Sequence, residues 1–223
     1  MTTQLHIFYG GTFDPVHNGH LAVARNARDA LSASVHLMPA ADPPHKGPTL
    51  ADAMQRASML ELAVVGEHGL VVDRRELLRE GPSYTIDTLY DIRADLGDEV
   101  PIALLLGADS FRGLPSWKSW RELFLHAHFV VAERAGHHVE DLLPQELAAS
   151  TAHRWAGSAD ELQQAPAGRI FKLAQALRPE SASGIRHRIA NGEPWRDCVP
   201  PPVADFIIQS GLYIKPAVTP ASL

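Results

Sequence analysis

Two histidines, His17 and His20, stand three residues apart just after the run Gly10-Gly11-Thr12-Phe13-Asp14-Pro15. In a first helical turn, residues at that spacing share one face. The run follows an apolar stretch over 5–9 and precedes Leu21-Ala22-Val23-Ala24-Arg25, which reads as a helix. Strand, glycine turn and helix start together aim backbone N–H groups and a positive helix end at an anion. Two glycines let the backbone come close to a ligand, because no Cβ intervenes. The chemistry this suits is a polyphosphate cradle. The same pair read as metal ligands has the wrong spacing for a zinc protease, which places its histidines four apart around a glutamate. Read structurally, the pair caps a helix.

Five further groups could belong to such a site. Ser181-Ala182-Ser183-Gly184-Ile185-Arg186 again places hydroxyls before a helix, with Arg186 as a clamp for phosphate oxygens. The plain alternative is a Ser183 that only caps the helix and an Arg186 that is a surface charge. Lys46 closes a proline-rich stretch, as a third cation or a solvated loop lysine. Asp109 follows the apolar run 101–106, where it could orient a ribose hydroxyl, meet Mg²⁺ through water, or bond its own turn. Trp117 lies in Leu-Pro-Ser-Trp, placed either to stack on a planar ring or to fill the core beside Trp120. Ser83-Tyr84-Thr85 opens a predicted helix whose first N–H groups would receive a carboxylate.

Apolar runs at 5–9 and 35–39 flank a helical stretch at the spacing of a βαβ unit. Periodicity predicts helices over 52–65 and 85–96 and a strand over 69–73. The near-continuous apolar run 101–106 is the expected centre of a parallel sheet. A helix over 120–126 and strands over 128–133 and 168–173 follow, with short helices over 185–190 and 202–210 closed by Gly192 and Gly211. Residues 135–169 read as peripheral helix and loop, and 41–50 as a loop over a site. The expectation is one α/β unit over 1–223, with a core to about 180 and a helical part over about 181–214.

Composition narrows the class. With 45% hydrophobic and 21% charged residues the chain is an ordinary globular sequence. A net charge of −6 disfavours non-specific nucleic-acid binding, so any phosphate site is a local positive pocket on an acidic body. A single cysteine, Cys198, excludes an internal disulfide and fits a reducing compartment. No secretory signal and no membrane span are visible, so the expected location is cytoplasmic. Fingerprints of dinucleotide-dependent dehydrogenases, phosphate-loop NTPases and α/β-hydrolases are absent.

The motif at 10–20, Gly-Gly-Thr-Phe-Asp-Pro-x-His-x-Gly-His, resembles the signature of the nucleotidyltransferases that carry His-x-Gly-His. Within them the chain is similar to the bacterial nicotinate mononucleotide adenylyltransferases. Pro43-Pro44-His45-Lys46, Ser83-Tyr84-Thr85-Ile86-Asp87-Thr88, Gly107-Ala108-Asp109-Ser110 with Trp117, and the segment 181–186 follow in the same order. The resemblance implies a Rossmann-like, doubly wound, mostly parallel sheet with a small C-terminal helical extension. It implies adenylyl transfer from ATP to nicotinate mononucleotide, with Mg²⁺ carried mainly by substrate phosphates. It assigns catalysis to His17, His20, Lys46 and Arg186. ATP would meet Gly10, Gly11, Thr12, Phe13, His17, Gly19, His20, Gly107, Asp109, Ser181, Ser183 and Arg186. The nicotinate nucleotide would meet Lys46, Tyr84, Thr85, Asp109, Trp117 and Arg134, with Trp117 on the pyridine ring and Trp120 in the core. Ser183 stands where the family usually has threonine, which keeps the hydroxyl. Neither nucleic acid nor membrane is an expected partner.

Overall fold

A computed structural model of the chain describes residues 4–41, 49–79, 81, 83–134, 139–176 and 178–214. Its centre is a six-stranded sheet: β1 (His6–Gly11), β2 (Ser34–Pro39), β3 (Leu70–Val72), β4 (Ile102–Gly107), β5 (His128–Arg134) and β6 (Ile170–Gln175). Every pairing is parallel and the spatial order is β3-β2-β1-β4-β5-β6. The chain starts in the middle, winds outward to β3, then returns to β4 and winds the other way. That reversal between β1 and β4 leaves a crevice beyond their carboxyl ends.

The helices are α1 (Asn18–Leu31), α2 (Ala53–Val64), α3 (Thr85–Leu96), α4 (Ala108–Arg112), α5 (Leu123–His126), α6 (Gln145–Thr151), α7 (Ala182–Asn191) and α8 (Pro201–Gln209). Parallel strands need crossovers, so helices cover both faces of the sheet. Leu21, Leu60, Ile185 and Ile207 pack on the face carrying Ile7 and Leu105, whereas Ile86, Phe111, Leu123 and Leu147 pack on the face carrying Phe8 and Leu104. The strand β4 is buried from Ile102 to Leu106, as its unbroken apolar run requires.

Local signals explain most boundaries. Asp52 accepts from the Gln55 N–H and Gln55 answers at the Asp52 N–H, a capping box that starts α2. Gly192 takes φ +70° and closes α7. Two expectations change. The helix predicted over 120–126 contracts to the single turn of α5: Ser119 turns left-handed at φ +50° just before the span, and the Glu122 N–H bonds back to the Ser119 carbonyl at 2.8 Å as a turn. The helix predicted over 185–190 begins earlier, at Ala182, because Ser181 caps it: its Oγ accepts from the Gly184 N–H at 3.1 Å. Ser183 lies inside the first turn and is exposed. Among the described residues, no helix is long and apolar enough to cross a membrane.

Candidate active site

The glycine-rich turn leaves β1 at the crevice. Phe13 takes φ +50° and folds its ring back under Gly11, where a Cβ would stand 2.8 Å from Phe13 Cζ. Gly11 is therefore fixed by close approach, and Phe13 is buried. Arg56, fully buried on α2, donates to the Thr12 carbonyl at 2.8 Å and to the Ala41 carbonyl at 3.0 Å. It thereby pins the turn to the chain leaving β2.

His17 is the N-cap of α1 rather than part of its first turn, with extended backbone angles. Its Nδ1 accepts from the His20 N–H at 3.4 Å, and His20 Nδ1 accepts from the His17 N–H at 3.3 Å. This reciprocal box stacks the two imidazoles with centroids 3.7 Å apart. Burial pushes the His17 imidazole down to about 4, against the opposing pull of Glu180. It is neutral at pH 7, and its bonds to His20 brace that residue. Gly19 allows the stack, since a Cβ there would lie 3.0 Å from His17 Nδ1.

Two adjoining cavities open on this turn and share Gly10, Gly11, Thr12, Leu106 and Ser110. The first, about 570 Å³, is polar and adds Phe13, His20, Gly107 and Arg186. The second, about 370 Å³, is mostly apolar and adds Tyr84, Thr85 and Trp117 beside Phe8 and Met38. Of the residues predicted for ATP, the structure gathers Gly10, Gly11, Thr12, Phe13, His20, Gly107 and Arg186 around the polar cavity. His17 and Gly19 stand behind it as supports, and Ser181 caps the helix that brings Arg186 in. Asp109 sits just past β4 with its side chain 93% exposed and ion-paired to Arg112. Arg134 ends β5. Lys46 lies outside the described residues.

The apolar cavity suits a flat ring. Trp117 borders it half-buried, while Trp120 is buried in the core. Tyr84 is the N-cap of α3 and supplies no side-chain cap, which leaves the helix start facing the cavity edge. The buried hydroxyls of Thr12 and Ser83 both line this cavity and have no hydrogen-bond partner among the described residues. A bound ligand would satisfy them.

Sequence reasoning missed several residues. Glu76 lines the apolar cavity, accepts from the Thr88 hydroxyl at 2.9 Å, and is pushed up by burial. Lys118 lies over the Tyr84 ring at 4.6 Å and pairs with Asp87 at 3.0 Å. Asp14 is 4% exposed and accepts from Tyr213 at 2.7 Å. The surroundings that bury Glu76 and Asp14 come from distant segments and leave no local pattern, and Lys118 is exposed.

The fold and site are those of an enzyme class that handles nucleotides, and comparison agrees. A family model described as cytidylyltransferase-like matches residues 8–188, so the chain belongs to that family of nucleotidyltransferases. A protein of Stenotrophomonas maltophilia described as a probable nicotinate-nucleotide adenylyltransferase is 51% identical, covering 96% of this chain and 98% of its own length. One of Marinobacter nauticus with the same description is 43% identical over 94% of this chain and 96% of its own. Within the wider family, the chain therefore belongs with the nicotinate-nucleotide adenylyltransferases. Its fold matches the Plasmodium falciparum nicotinic acid mononucleotide adenylyltransferase complexed with NaAD, with a TM-score of 0.69 at 16% identity, covering 94% and 97% of the two chains.

Proposed function

We propose that this chain transfers the adenylyl group of ATP to nicotinate mononucleotide, releasing pyrophosphate and forming nicotinate adenine dinucleotide for NAD biosynthesis in the cytoplasm. The observation that carries this reading is the pair of cavities sharing the turn Gly10–Gly11–Thr12. ATP occupies the polar one against His20 and Arg186. The pyridine ring occupies the apolar one against Trp117, and its carboxylate meets the start of α3 at Tyr84 and Thr85. The nucleotide 5′-phosphate then reaches the α-phosphorus across the shared turn.

A phosphate monoester has a second pKa near about 6, so the nucleophile is already ionised at neutral pH and needs no general base. Its oxygen attacks the α-phosphorus in line and pyrophosphate leaves, with no covalent enzyme intermediate. Catalysis rests on positioning and on cancelling charge. His20, Arg186 and Lys46 stabilise charge on the α- and leaving phosphates, with His17 supporting His20 from behind. No group of three or more histidine, cysteine or acidic side chains among the described residues forms a metal cage. Mg²⁺, which keeps several waters, would travel on the substrate phosphates, with exposed Asp109 able to meet it through water. The ion supplies neutralisation of phosphate charge.

The test is pyrophosphate release from ATP with nicotinate mononucleotide, nicotinamide mononucleotide or phosphopantetheine as acceptor. Release driven best by nicotinate mononucleotide is the expected result. Release driven best by phosphopantetheine, or none with any acceptor, overturns the reading. Replacing His20 by Ala should abolish turnover while the variant melts as the parent does; near-parental turnover would remove the histidines from the mechanism.

A further inference from the structure

We propose that Tyr213, in the C-terminal segment beyond α8, is a positioning residue that sets Arg186 at the polar cavity by acting through Asp14. The proposal rests on the reading above only for the identity of the phosphate that Arg186 meets. Asp14 gathers three distant parts of the chain. Its Oδ1 accepts from the Tyr213 hydroxyl at 2.7 Å and from the Ala51 N–H at 3.2 Å, and its Oδ2 accepts from the Leu50 N–H at 3.1 Å. Its main-chain carbonyl accepts from Arg186 Nη1 at 2.5 Å, while the same nitrogen stands 3.8 Å from Oδ2.

Arg186 thus has two calls on its charge, the buried carboxylate of Asp14 and whatever anion fills the cavity that Arg186 lines. At 3.8 Å its ion pair with Asp14 is loose. The carboxylate tolerates that because the tyrosine hydroxyl and two amides already satisfy it. Tyr213 is 8% exposed, and burial together with Asp14 raises its phenol above the ordinary value, so it stays a donor across the working range. Its backbone takes φ +65°, a conformation rare for an aromatic residue and held here by packing and by this bond. Remove the hydroxyl and the under-satisfied carboxylate draws Arg186 inward, away from the cavity. The C-terminal extension thereby controls the charge offered to a triphosphate.

The experiment measures ATP affinity by calorimetry in the parent, Tyr213→Phe, Arg186→Ala and the double variant. Tyr213→Phe should raise the ATP Kd about 5- to 10-fold in the parent, and less than about 2-fold in the Arg186→Ala background. A purely structural tyrosine would lower the melting temperature and leave the two backgrounds alike. An unchanged Kd, or equal losses in both backgrounds, overturns the proposal. Asp14→Asn provides a second cycle should Tyr213→Phe fail to fold. Its change in ATP Kd must shrink to under about 2-fold when Arg186 is Ala, and a change that persists there overturns the proposal. Binding is read without turnover, so a parent that binds ATP but transfers nothing to nicotinate mononucleotide sinks the adenylyl-transfer reading and leaves this one intact.

Discussion

Replacing Gly19 by Ala sets two magnitudes against each other. In an ordinary helix the change stabilises by about 1 kcal/mol, because glycine gives up more backbone freedom on folding. Here the new Cβ would stand 3.0 Å from His17 Nδ1 and 3.1 Å from its Cε1. That ring cannot simply swing away: it is 6% exposed, stacked on His20 at 3.7 Å, and bonded to the His20 N–H. Displacing it costs the cap, about 1 kcal/mol, and about 1–2 kcal/mol of rotamer strain and overpacking. The losses outweigh the gain by about 1–2 kcal/mol, a fall of about 2–8 °C in melting temperature for a chain of this size. Well below that transition the variant is folded, yet His20 has lost its support, so turnover should fall about 10-fold or more, a loss of about 1.4 kcal/mol in transition-state stabilisation. Calorimetry and the pyrophosphate assay on one preparation check both. A variant that melts at or above the parent with parental turnover would refute the claim that the stacked pair needs a glycine between its members.

Acid should destabilise the fold before carboxylates begin to protonate. Burial pushes both His17 and His36 down to about 4 from an ordinary 6.5, His36 further lowered by His6, whose Nδ1 is 3.2 Å from its Nε2. The unfolded chain binds these protons first, so stability is full above about pH 6.5, falls toward about pH 4, and levels below it, with His17 worth about 3 kcal/mol at most. Urea unfolding from pH 7 to 5 reads this directly, and a flat profile would contradict it. Arg93, 7% exposed, donates to the carbonyls of Gly97, Asp98, Val100, His126 and Pro166. Arg93→Met would strand these acceptors, at about 3 kcal/mol or more and about 6–12 °C in melting temperature. A loss below about 1 kcal/mol would mean that water replaces the guanidinium.

The strands of the sheet and most of its long helices were legible because their signals are local. An apolar run such as 102–106 needs no partner to be recognised as a buried strand, and caps such as Asp52 and Gly192 act on residues within a turn of themselves. The glycines and histidines of the first turn were legible for the same reason. Only the assembled chain decided their charge: His17 is neutral because tertiary burial, not its neighbours in sequence, removed its water. Arg56, Glu76 and Tyr213 carried no local mark, and the motif that holds Asp14 gave no sign of its partners, since the bonds involved join residues from 12 to 199 positions apart. Chain order dictates periodicity and capping. Which charges share a cavity, and which lose their solvent, is dictated by the way the sheet reverses between β1 and β4 and by the C-terminal segment that returns to meet it.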